Sequence, residues 1–160
     1  MFSAIYAALL FACSAYALLH GGKPERIGAA ILGVGSIATF LVVSAPAARF
    51  GSVELGILFV DVAALAGFLA LALRAERLWP LWLTALHAIG TAAHVVKLVA
   101  PDVIPWAYAF ALAFWSYPML LLLVLGTWQH RKRLARHGAD KSWSTFSSRS
   151  APARRAGPGA

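Results

Sequence analysis

The feature that most constrains this chain is a succession of apolar stretches, each close in length to a lipid bilayer and each ended by a short polar break. A helix of roughly 17–25 residues crosses a ~30 Å hydrocarbon layer. Five stretches meet or approach that length, at about Phe2 to Leu19, Ile27 to Ala45, Val53 to Leu73, Leu81 to Ala100 and Ile104 to Trp128. The breaks have chemical causes: Gly22, Lys23 and Pro24 within His20 to Arg26; Pro46, Arg49 and Gly51; the charged turn Arg74 to Trp79, closed by Pro80; and Asp102 between Pro101 and Pro105. Connections this short make successive helices antiparallel. The expected fold is all-α, a five-helix transmembrane bundle over residues 1–130 followed by a basic, largely disordered tail over 131–160.

Composition excludes the main alternatives. Charged residues make up 12% of the chain and apolar ones 61%, against about 25% charged in a soluble domain, and mean hydropathy is +0.74. Most of the chain therefore has lipid as its solvent. A soluble enzyme, a disulfide scaffold and a nucleic-acid-binding domain are excluded, the last despite a net charge of +8. Cys13 stands alone within an apolar run and forms no internal disulfide. The small residues from Ser14 to Ala17 imitate a signal-peptide cleavage site, but no basic segment precedes them, so the first stretch reads as a retained helix.

Cation placement predicts orientation. One side collects Lys23, Arg26, Arg74, Arg77 and the run from Arg131 to Arg155, and the other has Arg49 and Lys97. By the positive-inside rule the N-terminus is periplasmic and the C-terminus cytoplasmic, in a bacterial inner membrane. Trp79, Trp82 and Trp128 then fall at the cytoplasmic interface, and Trp106 with Tyr108 at the outer one. The segment His130 to His137 is expected to prolong the last helix by a turn or two, and Lys141 to Ala160 to be disordered. Arg131, Lys132, Arg133 and Arg136 would contact anionic lipid headgroups, at about 1 kcal/mol each.

Gly33, Gly35 and Ala38 spell a dinucleotide-binding fingerprint, yet they lie inside a membrane helix rather than between a strand and a helix. Together with the pairs Ala29/Gly33 and Ala63/Gly67 they are expected to serve close helix packing. Pro118 is expected to bend the fifth helix, either structurally or beside a cavity lined by Tyr117 and Pro118, with Ser116 or Tyr117 sharing the freed carbonyl. Neither an internal repeat nor paired broken helices mark an inverted-repeat transporter.

Ionisable residues at membrane depth are costly and face a bundle interior or a wet cavity. Asp61, His87, Thr91, His94 and Lys97 form such a cluster: Glu54 and Asp61 share a face of the third helix, and His87, Thr91 and His94, with Thr84 one turn earlier, stripe the fourth. At 1.5 Å per residue the hairpin places Asp61 within ~3 Å in depth of His94. His87 falls level with Tyr117 and close to Met119, while Lys97 is expected to snorkel outward. An Asp–His pair suits either an interhelical bond that sets register or a proton-titratable ligand site. A b-type haem is not expected, because both histidines share one face of one helix. No zinc spacing, phosphate loop or activated nucleophile is found, so neither a cofactor, a metal nor a catalytic residue is assigned.

The segments RAERLWPLW (Arg74 to Trp82), His94 to Pro101, and IPWAYAFALAFWSYPMLL with GTWQHRKR (Ile104 to Arg133) resemble a family of small, uncharacterised bacterial inner-membrane proteins. That resemblance implies a multi-pass inner-membrane protein and no particular activity. Two functions fit the sequence. The favoured one is a non-catalytic membrane protein packing with itself or in a larger membrane complex. The alternative is a small transporter or ligand-binding protein centred on Asp61 and His94. A water-filled cavity that reaches Asp61 favours the second, and a dry, fully paired Asp61 favours the first.

Overall fold

The structure, a computed structural model, describes residues 2–43, 50 and 53–143. Among these every regular element is helical: α1 (Phe2–His20), α2 (Lys23–Val42), α3 (Leu55–Arg74), α4 (Trp79–Val99), α5 (Pro105–Phe114) and α6 (Ser116–His137). Four helices are long and apolar enough to cross a membrane: α2, α3, α4 and the near-continuous 33-residue run Pro105–His137. The apolar part of α1, Ala4–His20, is shorter. By length and composition this is a membrane protein. Its surface agrees, since Phe11, Phe40, Phe59 and Val99 are each more than three-quarters exposed, a cost against water that lipid removes.

The helix ends differ from the sequence expectation where proline was taken only as a breaker. Helix α2 begins at Lys23, four residues before Ile27, and α4 at Trp79, two before Leu81. Pro24 and Pro80 occupy the first turn of each, where the missing N–H has no intrahelical partner to lose. The fifth predicted span divides at Trp115. Pro118 has no N–H to offer the Phe114 carbonyl four residues back, and Phe114 is where α5 ends. Helix α6 then continues to His137 and ends at Gly138, which adopts a left-handed φ of 69°.

The helices form a closed ring in which α1 packs on α2, α2 on α3, α3 on α4, α4 on α5 and α6, and α6 on α1. Helix α6 also reaches α2 across the ring. The core centres on Phe68, Leu71, Trp79, Leu83, Met119 and Leu123. Trp79 is the wedge: a Cβ added at Gly28 or at Gly126 would meet its indole at 2.9 Å. Those two glycines, with Gly67 against Ile31 and Gly56 against Val42, provide close approaches between helices. Gly33 does not, for nothing lies within 4 Å of the Cβ it lacks, and Gly35 makes one contact at 4.0 Å; Ala63 is likewise exposed. Of the small residues expected to pack, Ala29 is buried in the core and Gly67 meets Ile31, whereas Gly33, Gly35 and Ala63 make no close approach.

The basic end of the bundle is closed by an ionic clasp. Glu25 is fully buried and its Oε1 accepts from Arg77 Nη1 at 3.0 Å and from Trp79 Nε1 at 3.1 Å. Arg77 Nη2 pairs with Asp140 Oδ2 at 2.8 Å, and Asp140 also receives Arg133 Nε at 2.9 Å and the His130 ring. Burial pushes the Asp140 carboxyl up, but the His130 and Arg133 hydrogen bonds and the Arg77 and Arg133 charges outweigh it, holding the group below its ordinary value. The chain after α6 thus folds back: Trp143 packs against the core and bridges to Ala75. Helix α6 runs to His137 as the segment His130 to His137 was expected to do, whereas over 141–143, where disorder was expected, the chain is packed. Residues 144–160 lie outside the described residues. Trp79, expected at the interface, is 5% exposed, whereas Trp82, Trp106 and Trp128 are exposed.

Candidate functional site: the Asp61 chamber

Helix α3 carries Asp61 two turns from its start, and α4 presents two histidines to it from one face. His94 Nε2 lies 3.2 Å from Asp61 Oδ2, and His87 Nε2 lies 3.0 Å from the Asp61 backbone oxygen. A carbonyl only accepts, so His87 carries its proton on Nε2. Helix α5 brings Tyr108, whose Oη is 2.6 Å from His94 Nδ1 and 3.3 Å from the Glu54 amide nitrogen, which donates to it.

These contacts set proton positions. Tyr108 is 2% exposed, and His94 Nδ1 is the acceptor that its hydroxyl proton finds among the described residues. A buried hydroxyl proton needs an acceptor. Nδ1 therefore accepts, Nε2 carries the imidazole proton, and His94 donates to Asp61. The result is a directed chain from the Glu54 amide through Tyr108 and His94 to one oxygen of Asp61. His94 is fully buried, and both ring nitrogens are committed. Edge-on ring contacts, His94 with Tyr108 at 5.6 Å and His87 with Phe68 at 5.2 Å, hold both imidazoles in place.

The remaining polar residues of α4 are satisfied locally. Thr91 Oγ1 donates to the His87 carbonyl at 2.9 Å and Thr84 Oγ1 to that of Pro80 at 2.7 Å, the i−4 bond open to threonine in any helix. Lys97 corrects an expectation. Instead of snorkelling outward it is 3% exposed, with Nζ donating to the carbonyls of Pro101 at 2.8 Å and Val103 at 2.6 Å. An α4 end that turns back on itself brings these carbonyls within reach, so the ammonium caps the turn. Among the anticipated headgroup ligands, Arg133 is held by Asp140 and Lys132 lies 4.9 Å from the Trp128 ring centroid, while Arg131 and Arg136 are exposed.

Beside Asp61 the bundle is hollow. A cavity of about 630 Å³ lies among α1, α2, α3, α5 and α6, with Asp61 and His87 on its wall. Its other polar groups are few: Tyr6, Ser36, Thr39, Ser116 and Tyr117, with Tyr6 Oη and Ser36 Oγ 3.1 Å apart. Phe40, Phe50, Phe68 and Met119 supply much of the apolar surface. Exposed Ile37 and Phe40 are part of the lining, so the cavity meets the outer surface along α2. Around it α5 packs on α4, while α6 packs on α1, α2 and α4. Tyr117 lines this space and Pro118 does not.

Asp61, His87 and His94 are thus brought together, with Thr91 and Lys97 turned to local carbonyls. Tyr108 was not placed at this centre from the sequence, and Glu54 was placed only on the same face as Asp61. A signal existed for Tyr108, since folding the chain about Asp102 sets it within about one turn in depth of His94. Among the described residues no group of three His, Cys, Asp or Glu side chains is placed to hold a metal ion. Comparison with protein-family models, with curated proteins and with solved structures finds no match for this chain.

Proposed function

We propose that this chain is a multi-pass membrane protein that binds a small, largely apolar ligand in the chamber beside Asp61. The chain would cross the bilayer five times, with its N-terminus outside and its C-terminus cytoplasmic, in the bacterial inner membrane that the resemblance implies. The observation that carries the proposal is the cavity itself. Its volume of about 630 Å³ falls within the ~300–1,000 Å³ of small-molecule sites, which are likewise mostly apolar with a few placed polar groups. A bond needed only to set register would leave no reason for such a space beside it, because bundle interiors close-pack.

Native mass spectrometry of the full chain extracted gently from membranes tests this. A small molecule is expected to copurify and to be lost from Ala109→Phe, which fills the chamber from α5. Recovery of no molecule, together with a higher melting temperature for Ala109→Phe, would mean that the space is an empty packing defect.

Self-association is favoured by one separate observation: Gly33 on α2 faces open space next to the exposed Val34 and Ile37, where a helix of a second copy could approach. Loss of a dimer on Gly33→Leu, measured by mass photometry in detergent, is the expected outcome for that function.

A further inference from the structure

We infer that the ligand of this chamber is an amphiphilic amine or other organic cation, seated with its charged end on Asp61 and its apolar body among aromatic rings. This inference rests on the chamber proposed above and specifies the chemistry of what enters it. Four observations converge. Asp61 is the one carboxylate on the chamber wall, and among the described residues no Lys or Arg lines that wall. Among the described residues its side-chain partner is His94, which reaches a single oxygen, Oδ2. The Tyr108 hydroxyl sets the His94 tautomer that donates to Asp61, so the imidazole supplies a neutral bond and Asp61 remains an acceptor. The side chain is 19% exposed although its partner is fully buried, so what is uncovered is the part turned from His94 toward the cavity.

The other titratable groups around the site leave the same vacancy for positive charge. His87 Nε2 is spent on the Asp61 carbonyl. Lys97, 6.0 Å from the Tyr108 ring, has its ammonium on the carbonyls of Pro101 and Val103. The Glu54 carboxylate accepts from the Phe50 amide at 2.8 Å. Tyr6 and Tyr117 contribute hydroxyls and ring faces without charge. An unneutralised carboxylate in a medium of low dielectric draws a cation, and aromatic faces such as those of Tyr6, Phe68 and Tyr117 hold one further by cation–π attraction. An anionic ligand would meet repulsion, and a neutral one would bring the carboxylate no counter-charge.

The test uses three molecules with one skeleton: 4-phenylbutylamine, 4-phenylbutanol and 4-phenylbutyrate, titrated calorimetrically at pH 7 into the detergent-solubilised full chain, with empty micelles as blank. The amine is expected to bind at least tenfold more tightly than the alcohol, and the acid weakest, the size expected when a hydrogen bond gains a charged partner. Asp61→Asn, whose amide oxygen still accepts from His94, is expected to cost the amine about tenfold or more and to leave the alcohol unchanged. Ala109→Phe is expected to abolish binding of both. Amine and alcohol binding equally, with Asp61→Asn indifferent, would overturn the cation inference and leave the chamber standing. Binding of none of the three would overturn both. If Asp61→Asn fails to fold, the amine–alcohol ratio in the unmodified chain, with its loss in Ala109→Phe, decides the matter.

Discussion

Trp79 offers the sharpest test of the bundle. Its indole is clamped between two glycines on different helices: the Cβ of an alanine at 126 would lie 2.9 Å from Cδ1, Cγ and Nε1, and one at 28 would lie 2.9 Å from Cη2. The ring has no retreat, because it is 5% exposed and its N–H is fixed on Glu25 Oε1 at 3.1 Å. Gly126→Ala therefore overpacks a rigid group, at a cost of about 1–3 kcal/mol. Shifting the indole also weakens a hydrogen bond to a carboxylate worth about 1.5–3 kcal/mol. Removing a glycine from a helix returns about 1 kcal/mol. The net loss is roughly 2–4 kcal/mol, which for a chain of this size lowers the melting temperature by roughly 4–15 °C. Gly35→Ala is the control: with one contact at 4.0 Å, it should be neutral or stabilising by up to about 1 kcal/mol. Thermal unfolding of both variants in the same detergent, followed by tryptophan fluorescence, measures the difference. On a Trp79→Leu background the Gly126→Ala penalty should largely vanish. A Gly126→Ala protein that melts at or above the unmodified chain would show that the Trp79 slot is not where α2, α4 and α6 meet.

Three further outcomes are expected. Asp61→Leu and His94→Leu should each destabilise the solubilised protein, while the double variant loses less than their sum by about 0.5–2 kcal/mol; strict additivity would mean that the two side chains do not touch. Truncation after Ala139, which removes both Asp140 and the Trp143 contact, should lower the melting temperature below that of a chain truncated after Trp143, with equal melting refuting the clasp. Because Asp140 is held below its ordinary value of 3.8, its contribution is complete above that pH and is lost as pH falls through the lower folded value. An acid-unfolding limb that is shallower in Asp140→Asn would confirm this, and superimposable limbs would contradict it.

The helical class and the membrane setting were legible in residue order alone, since both depend on local quantities: run length, apolarity, and the inability of proline and clustered charge to sit within a span. The Asp61–His94 contact was also legible, because an antiparallel hairpin with a short turn equates depth with residue count. The register of α3 and α4 needed nothing from the rest of the chain. What only the tertiary structure decided involves three or more elements at once. Glu25, Arg77 and Asp140 are separated by 52 and 63 positions, and each looks like an interfacial charge until α2, the α3–α4 turn and the end of α6 converge on one another. Tyr108 reads as an interfacial aromatic until α5, released from α6 at Trp115, lays it against His94. Lys97 could be placed only once the chain after α4 was seen to return its carbonyls to the ammonium. The chamber is the extreme case, for it belongs to no residue: it is the space left among side chains that α1, α2, α3, α5 and α6 each contribute.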